Sequence, residues 1–210
     1  MKFWKFGYYI FWLLVSCNFM YGAEKIERYS FSVGGGFGMA GIMQSDVPTS
    51  LIYGSHWTLA FSSERFFTEQ ISLAFQVSGA IRQKGYSVSY KNTNPRVILT
   101  YALLEPAIYS RVYFQKNYFA QLGTGIFYGT RIKLSTYDTT ISKETLESRY
   151  NKTDAGFLFH FFVGRKLFSS FYLLAGLEAE YSWTDVLTTK VEDYQNYSWN
   201  FTIKAEVFFL

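Results

Sequence analysis

Residues 197–210 constrain the fold of this chain more than any other part of it. Tyr197, Trp199, Phe201, Ile203, Ala205, Val207 and Phe209 take alternate positions, with Ser198, Asn200, Thr202, Lys204 and Glu206 between them. A strand turns successive side chains to opposite faces, so this segment has one apolar, aromatic-ended face and one polar face. A strand of about 9–11 residues is what crosses a bilayer at barrel tilt.

The pattern recurs. Eight candidate strands cover residues 27–42, 52–63, 70–82, 96–114, 117–134, 152–167, 171–185 and 194–210. The connections alternate in length: 64–69, 115–116 and 168–170 are short, whereas 43–51, 83–95, 135–151 and 186–193 are longer. Transmembrane barrels show this asymmetry, with tight periplasmic turns and longer external loops. A soluble sandwich has no reason to alternate so strictly. The expectation is an all-β, eight-stranded antiparallel up-and-down transmembrane β-barrel over residues 24–210, with both termini on the periplasmic side.

Composition agrees. Aromatic residues make up 21% of the chain, charged residues only 17%, and there are three prolines. Mean hydropathy is near zero, which is compatible with alternating strands because they hide their apolarity from averages, and no run after residue 23 is long and apolar enough for a spanning helix. Residues 1–23 stand apart. Lys2 and Lys5 precede the nearly apolar stretch 6–20, and Ala23 comes just before Glu24 and Lys25. This reads as a secretory signal peptide cleaved after Ala23. Cys17, the only cysteine, has two readings: a small apolar residue of the signal core, or the lipidated cysteine of a lipobox formed with Leu14, Val15 and Ser16. Under the first, the mature chain has no thiol or disulfide chemistry. Without Lys2 and Lys5 the 20 basic residues fall to 18 against 16 acidic ones, a balance with no nucleic-acid signature.

Faces can be assigned by parity. In the third strand Ile71, Leu73, Phe75, Val77 and Ile81 face lipid, with Ser72, Ala74, Gln76, Ser78 and Arg82 inside. In the seventh, Leu173, Leu177, Tyr181 and Trp183 face out, with Glu178, Glu180 and Ser182 inside. The fourth strand breaks step. If Val97, Leu99, Tyr101 and Leu103 face lipid, continuing the alternation puts Glu105 and Arg111 there too, and an arginine near the midplane costs about 2–4 kcal/mol. Pro106 predicts a bulge that returns Glu105, Tyr109 and Arg111 to the interior. Eight strands enclose a space that side chains fill. Buried charges need partners, so Arg82, Glu105, Arg111, Arg131, Glu178, Glu180, Lys204 and Glu206 are expected to form an internal ion-pair network. Trp57, Tyr113, Tyr118, Tyr128, Tyr181, Trp183, Tyr197 and Trp199 lie near strand ends and are expected at headgroup level.

Three stretches resemble the PorT-like outer-membrane β-barrel proteins of Bacteroidota and related diderms. Residues 69–85, from Glu69-Gln70-Ile71 to Gln83-Lys84-Gly85, are similar to that family's third strand and its "QKG"-like end. Leu103-Leu104-Glu105-Pro106 followed by Tyr118-Phe119-Ala120-Gln121-Leu122-Gly123 is similar to its "LEIP" and "YLQAGP"-like runs. Residues 154–164 resemble its "DFGLVLGLG"-like strand. The chain lacks the residue between Glu105 and Pro106, and Leu210 stands where an aromatic is usual. The resemblance implies an outer-membrane barrel delivered through the barrel-assembly machinery and set among outer-membrane lipid. Its named member works in a protein-secretion machine, so envelope or secretion proteins are the implied partners.

Other motifs carry less. Gly34-Gly35-Gly36-Phe37-Gly38 lies within a strand, without the following helix a phosphate cradle needs. His56 and His160, the only histidines, take inward parity. A lipid-modifying hydrolase would need a Ser–His pair opening toward lipid, and neither histidine offers one with Ser62. Two histidines do not make a metal site, although one with Glu178 or Glu180 is a residual option. No cofactor is expected. The longest connection, with Asp138, Lys143, Glu144, Glu147 and Arg149, reads as a solvated external loop, where surface recognition would reside. The functional expectation is a structural or interactive barrel. The alternatives are a lipid-modifying enzyme and a narrow pore.

Overall fold

The computed structural model describes residues 28–43, 54–87, 96–114, 117–136, 142–184 and 197–209. The predicted signal peptide with Cys17 lies outside them, as do Asp138 and most of the longer connections. Eight strands, β1 Arg28–Met43, β2 Gly54–Phe66, β3 Ile71–Ser87, β4 Arg96–Tyr113, β5 Tyr118–Thr136, β6 Thr153–Phe168, β7 Phe171–Ser182 and β8 Tyr197–Phe209, follow one another around a closed barrel. Each pairs antiparallel with its sequence neighbours, and β1 pairs with β8 from Phe31↔Phe209 to Met43↔Tyr197. No sheet edge remains along this seam, so the ladder is hydrogen-bonded around the ring, as a lipid setting demands.

Alternation decides which face is which. Phe31, Phe37, Trp57, Phe61, Phe75, Ile108, Ile126, Phe159, Leu177 and Phe201 are exposed on the outer wall, an inside-out pattern for a protein in water. Along β5, Tyr118 and Tyr128 share that wall ten residues apart. At ~3.3 Å per residue and ~40° of tilt this is ~25 Å, the height of an apolar membrane band. Trp57, Tyr128, Tyr181 and Trp183 are exposed at the long-connection end of the band. Tyr113, expected among them, instead points inward and donates to Glu64 Oε1 at 3.1 Å.

β4 corrects the sequence reading. Val97, Leu99, Tyr101 and Leu103 are buried inside the barrel, on the same face as Glu105, Tyr109 and Arg111. No bulge falls at Pro106. Leu104 pairs with Tyr128 and Ala107 with Gly125, the same register on both sides, and Val77↔Pro106 continues the β3 ladder. The register shift lies instead between Thr100 and Tyr101, whose partners are Lys133 and Arg131, leaving Ile132 as the extra residue of β5.

The interior is therefore part apolar. Val97, Leu99, Tyr101, Leu103, Phe127, Leu134, Leu158 and Ala80 form a buried cluster toward the long connections, covered by Tyr150. Phe119, Phe162 and Leu174, with Tyr113 and Tyr172, form a second toward the short turns. Rings settle over glycines on the next strand: Phe119 faces Gly164, Phe127 faces Gly156 and Phe162 faces Gly176. A Cβ at Gly164 would collide with the Phe119 ring, and one at Gly176 would come within 2.6 Å of Phe162 Cδ1. A narrow barrel accommodates large rings only beside missing side chains.

The connection between β5 and β6, read from sequence as a plain loop, contains a helix, α1 Lys143–Arg149. Ser142 caps it, its hydroxyl accepting from the Thr145 amide at 3.3 Å.

Candidate functional site: a charge network across the lumen

Inward positions on six strands bring ten charged side chains into the middle of the barrel: Glu64 on β2, Arg82 and Lys84 on β3, Glu105 and Arg111 on β4, Asp154 on β6, Glu178 and Glu180 on β7, and Lys204 and Glu206 on β8. All are buried.

Toward the long connections, Arg82 Nη2 lies 2.6 Å from Glu105 Oε1, and Arg82 Nη1 pairs with Glu180 across the lumen. Lys84 Nζ is 2.5 Å from Asp154 Oδ2 and 3.4 Å from Glu180 Oε2. Glu180 also accepts from Ser198 Oγ and Asn200 Nδ2, each at 2.8 Å. Toward the short turns, Arg111 reaches Glu64 Oε2 at 3.2 Å and Glu206 Oε2 at 2.8 Å, and it donates through Nε and Nη2 to Gln121 Oε1 at 3.2 and 2.8 Å. Ser72 donates to Glu64 as well.

Between the two groups, Lys204 Nζ sits 2.6 Å from Glu178 Oε1, and His56 Nε2 lies 3.5 Å from Glu178 Oε2. His56 Nδ1 accepts from Arg82 Nε at 3.1 Å, which places the imidazole proton on Nε2, facing the carboxylate. Gln121 Nε2 is 3.3 Å from His160 Nε2.

Aromatic faces complete the cation shells. The Arg111 guanidinium lies 4.5 Å from the Phe119 ring centre, Lys204 Nζ 4.3 Å from Phe162, and Lys84 Nζ 5.2 Å from Phe127. Each ion forfeits several kcal/mol of hydration, which only well-placed partners offset. Removing one partner from such a network is therefore costlier than replacing the whole of it with apolar groups.

Of the residues expected in this network, Arg82, Glu105, Arg111, Glu178, Glu180, Lys204 and Glu206 are brought together. Arg131 is not. It stands next to the β5 irregularity, and its guanidinium donates to the Tyr150 and Glu147 carbonyls at 2.9 and 3.5 Å. It holds the end of α1 over the barrel mouth. Glu64, Lys84 and Asp154 join the network beyond those expected: β2 runs on to Phe66 and β3 to Ser87, past the limits that alternation suggests, and Asp154 lies near the start of β6. Extending the parity of Ser62, Arg82 and His160 finds all three. Ser62 Oγ is 3.0 Å from Ser32 Oγ. Among the described residues no group of three or more His, Cys, Asp or Glu is arranged to hold a metal.

No protein-family model and no curated sequence matches the chain. Among solved structures it is similar to Ail, the attachment invasion locus protein of Yersinia pestis, in complex with the heparin analogue sucrose octasulfate. The TM-score is 0.53 at 11% identity over 87% of this chain and 99% of Ail. A second Ail structure gives 0.50 at 8% identity over 86% and 98%. Neisserial surface protein A gives 0.49 at 13% over 84% and 96%. At such identities the likeness speaks to fold alone: this chain has the closed eight-stranded barrel of small outer-membrane proteins such as Ail.

Proposed function

We propose that the chain is an integral outer-membrane protein with a structural or interactive role. It seats a side-chain-filled barrel in the envelope, presents its long connections outward, and serves as the barrel subunit of an envelope assembly such as a secretion apparatus. One observation carries the non-conducting part: Arg82 and Arg111 are 0% solvent-exposed, and Glu178 and Glu180 2%. A water-filled lumen would wet these side chains, and an ion path needs rings of like charge, whereas here the charges are opposed and in contact. An outward-facing hydrolase site is disfavoured because His56 and His160 are both buried inside. The assembly role draws on the PorT-like resemblance.

Two measurements test this reading. The purified barrel in planar bilayers is expected to pass no stable single-channel current, and a steady conductance overturns the sealed-interior reading. Crosslinking followed by pull-down of a tagged copy from its native outer membrane is expected to recover a reproducible set of envelope proteins. Recovery of the barrel alone overturns the assembly role.

A further inference from the structure

Where the two halves of the charge network meet, four neighbouring side chains carry polar atoms that no protein group satisfies. His56 on β2 stands opposite Gly38 on β1, and Gly38 stands opposite Thr202 on β8. Asn200, two residues along β8 on the same face, stands opposite Glu178 on β7. His56, Thr202 and Asn200 are 0% exposed and Glu178 2%. Among the described residues, Thr202 Oγ1, Asn200 Oδ1, His56 Nε2 and Glu178 Oε2 each lack a hydrogen-bond partner. The last two are 3.5 Å apart, beyond good direct geometry. Gly38 places no side chain between His56 and Thr202. Buried polar atoms are rarely left unpaired, so a wall with four of them side by side points to a small polar ligand.

Neighbours fix the role of each atom. Arg82 Nε donates to His56 Nδ1, so Nε2 carries the imidazole proton and can only donate. Asn200 Nδ2 donates to Glu180 Oε1, which leaves Oδ1 as an acceptor. Lys204 Nζ occupies Glu178 Oε1 at 2.6 Å, leaving Oε2 as a second acceptor. The Thr202 hydroxyl can act either way. A ligand here must therefore donate two hydrogen bonds and accept at least one. Charge narrows the choice further. Lys204 and Arg82 flank the site and repel a cation, while the Glu178 carboxylate repels an anion. Water meets every condition: it is neutral, and buried waters make two to four hydrogen bonds to groups of this kind.

We propose that His56, Glu178, Asn200 and Thr202 form a binding site for one ordered water molecule, which bridges β2, β7 and β8 inside the barrel. This rests on the sealed-interior reading, because the water is isolated from both mouths. The test is proton-detected solid-state NMR of the full barrel in phospholipid bilayers, with folding followed by heat-modifiable gel migration. Magnetisation transfer from water is expected at the His56 Nε2 proton and the Thr202 methyl group. Thr202→Val/Asn200→Leu removes two of the four partners and leaves His56 and Glu178 close enough to pair directly, so the transfer at His56 is expected to be lost. A wild type whose His56 Nε2 proton is visible but receives nothing from water, or a folded double variant that keeps the transfer, overturns the water site and leaves the sealed interior standing. Transfer to lumen side chains along the whole path from Glu64 to Asp154 marks a continuous file of water and overturns both.

Discussion

Arg111→Met is the sharpest probe of the interior. The guanidinium is fully buried and serves two carboxylates at once, Glu64 at 3.2 Å and Glu206 at 2.8 Å, while bonding Gln121 twice. Methionine keeps most of the volume against Phe119 and Phe208 but removes the charge. Breaking one buried pair by deleting a partner costs about 3–5 kcal/mol, chiefly from the charge left behind. Two acids are stranded here, so the single variant is expected to lose at least that amount. Neutralising them in Arg111→Met/Glu64→Gln/Glu206→Gln should recover most of the loss, since replacing a whole buried network is close to neutral. Urea titration in phospholipid vesicles, read by tryptophan fluorescence and heat-modifiable migration, measures both. A single variant within about 1 kcal/mol of wild type, or a triple variant no better than the single, would refute the reasoning.

Three further outcomes are expected. Glu178→Gln/Glu180→Gln should lower thermal stability and leave the bilayer non-conducting, because it removes the partners of Lys204 and Arg82; a change in ion selectivity would mark a pore instead. Gly164→Leu should cost about 1–3 kcal/mol by driving a side chain into the Phe119 ring, and adding Phe119→Ala should return part of it; no recovery would show that the ring is not the obstacle. Arg131→Ala should speed protease cleavage within residues 137–151 while the barrel stays folded, since it frees the Tyr150 and Glu147 carbonyls; unchanged cleavage would remove Arg131 from the cap.

How much of this was legible from the sequence depended on contrast between the two faces. β3, β7 and β8 alternate apolar with polar, so their lumen residues could be named. β4 lacks that contrast over its first half, where Val97, Leu99, Tyr101 and Leu103 are inside and Ala102 and Leu104 outside. Apolarity alone assigns the richer row to lipid, and that assignment requires a bulge to bring Glu105 and Arg111 inside. Reading backward from those two charges gives the observed parity without one. Arg131 has lumen parity but lies beside the Ile132 insertion, where its reach is to α1, a helix no periodicity argument had assigned. Parity names a face, while the partner of each charge depends on which strands stand opposite across the ring.

That last dependence bears on how such a chain enters a membrane. The bonds of Arg82 to Glu180, Lys84 to Asp154 and Arg111 to Glu206 join strands that are never neighbours in the sheet, the last across 95 residues. Hairpins close some pairs, Arg82 with Glu105 and Lys204 with Glu178, but no hairpin or half-ring supplies partners for all of its charges, so a partly inserted chain would offer bare ions to hydrocarbon. The charges are therefore expected to act as a checkpoint on biogenesis, favouring release into the bilayer as a finished ring in which the first strand has met the last.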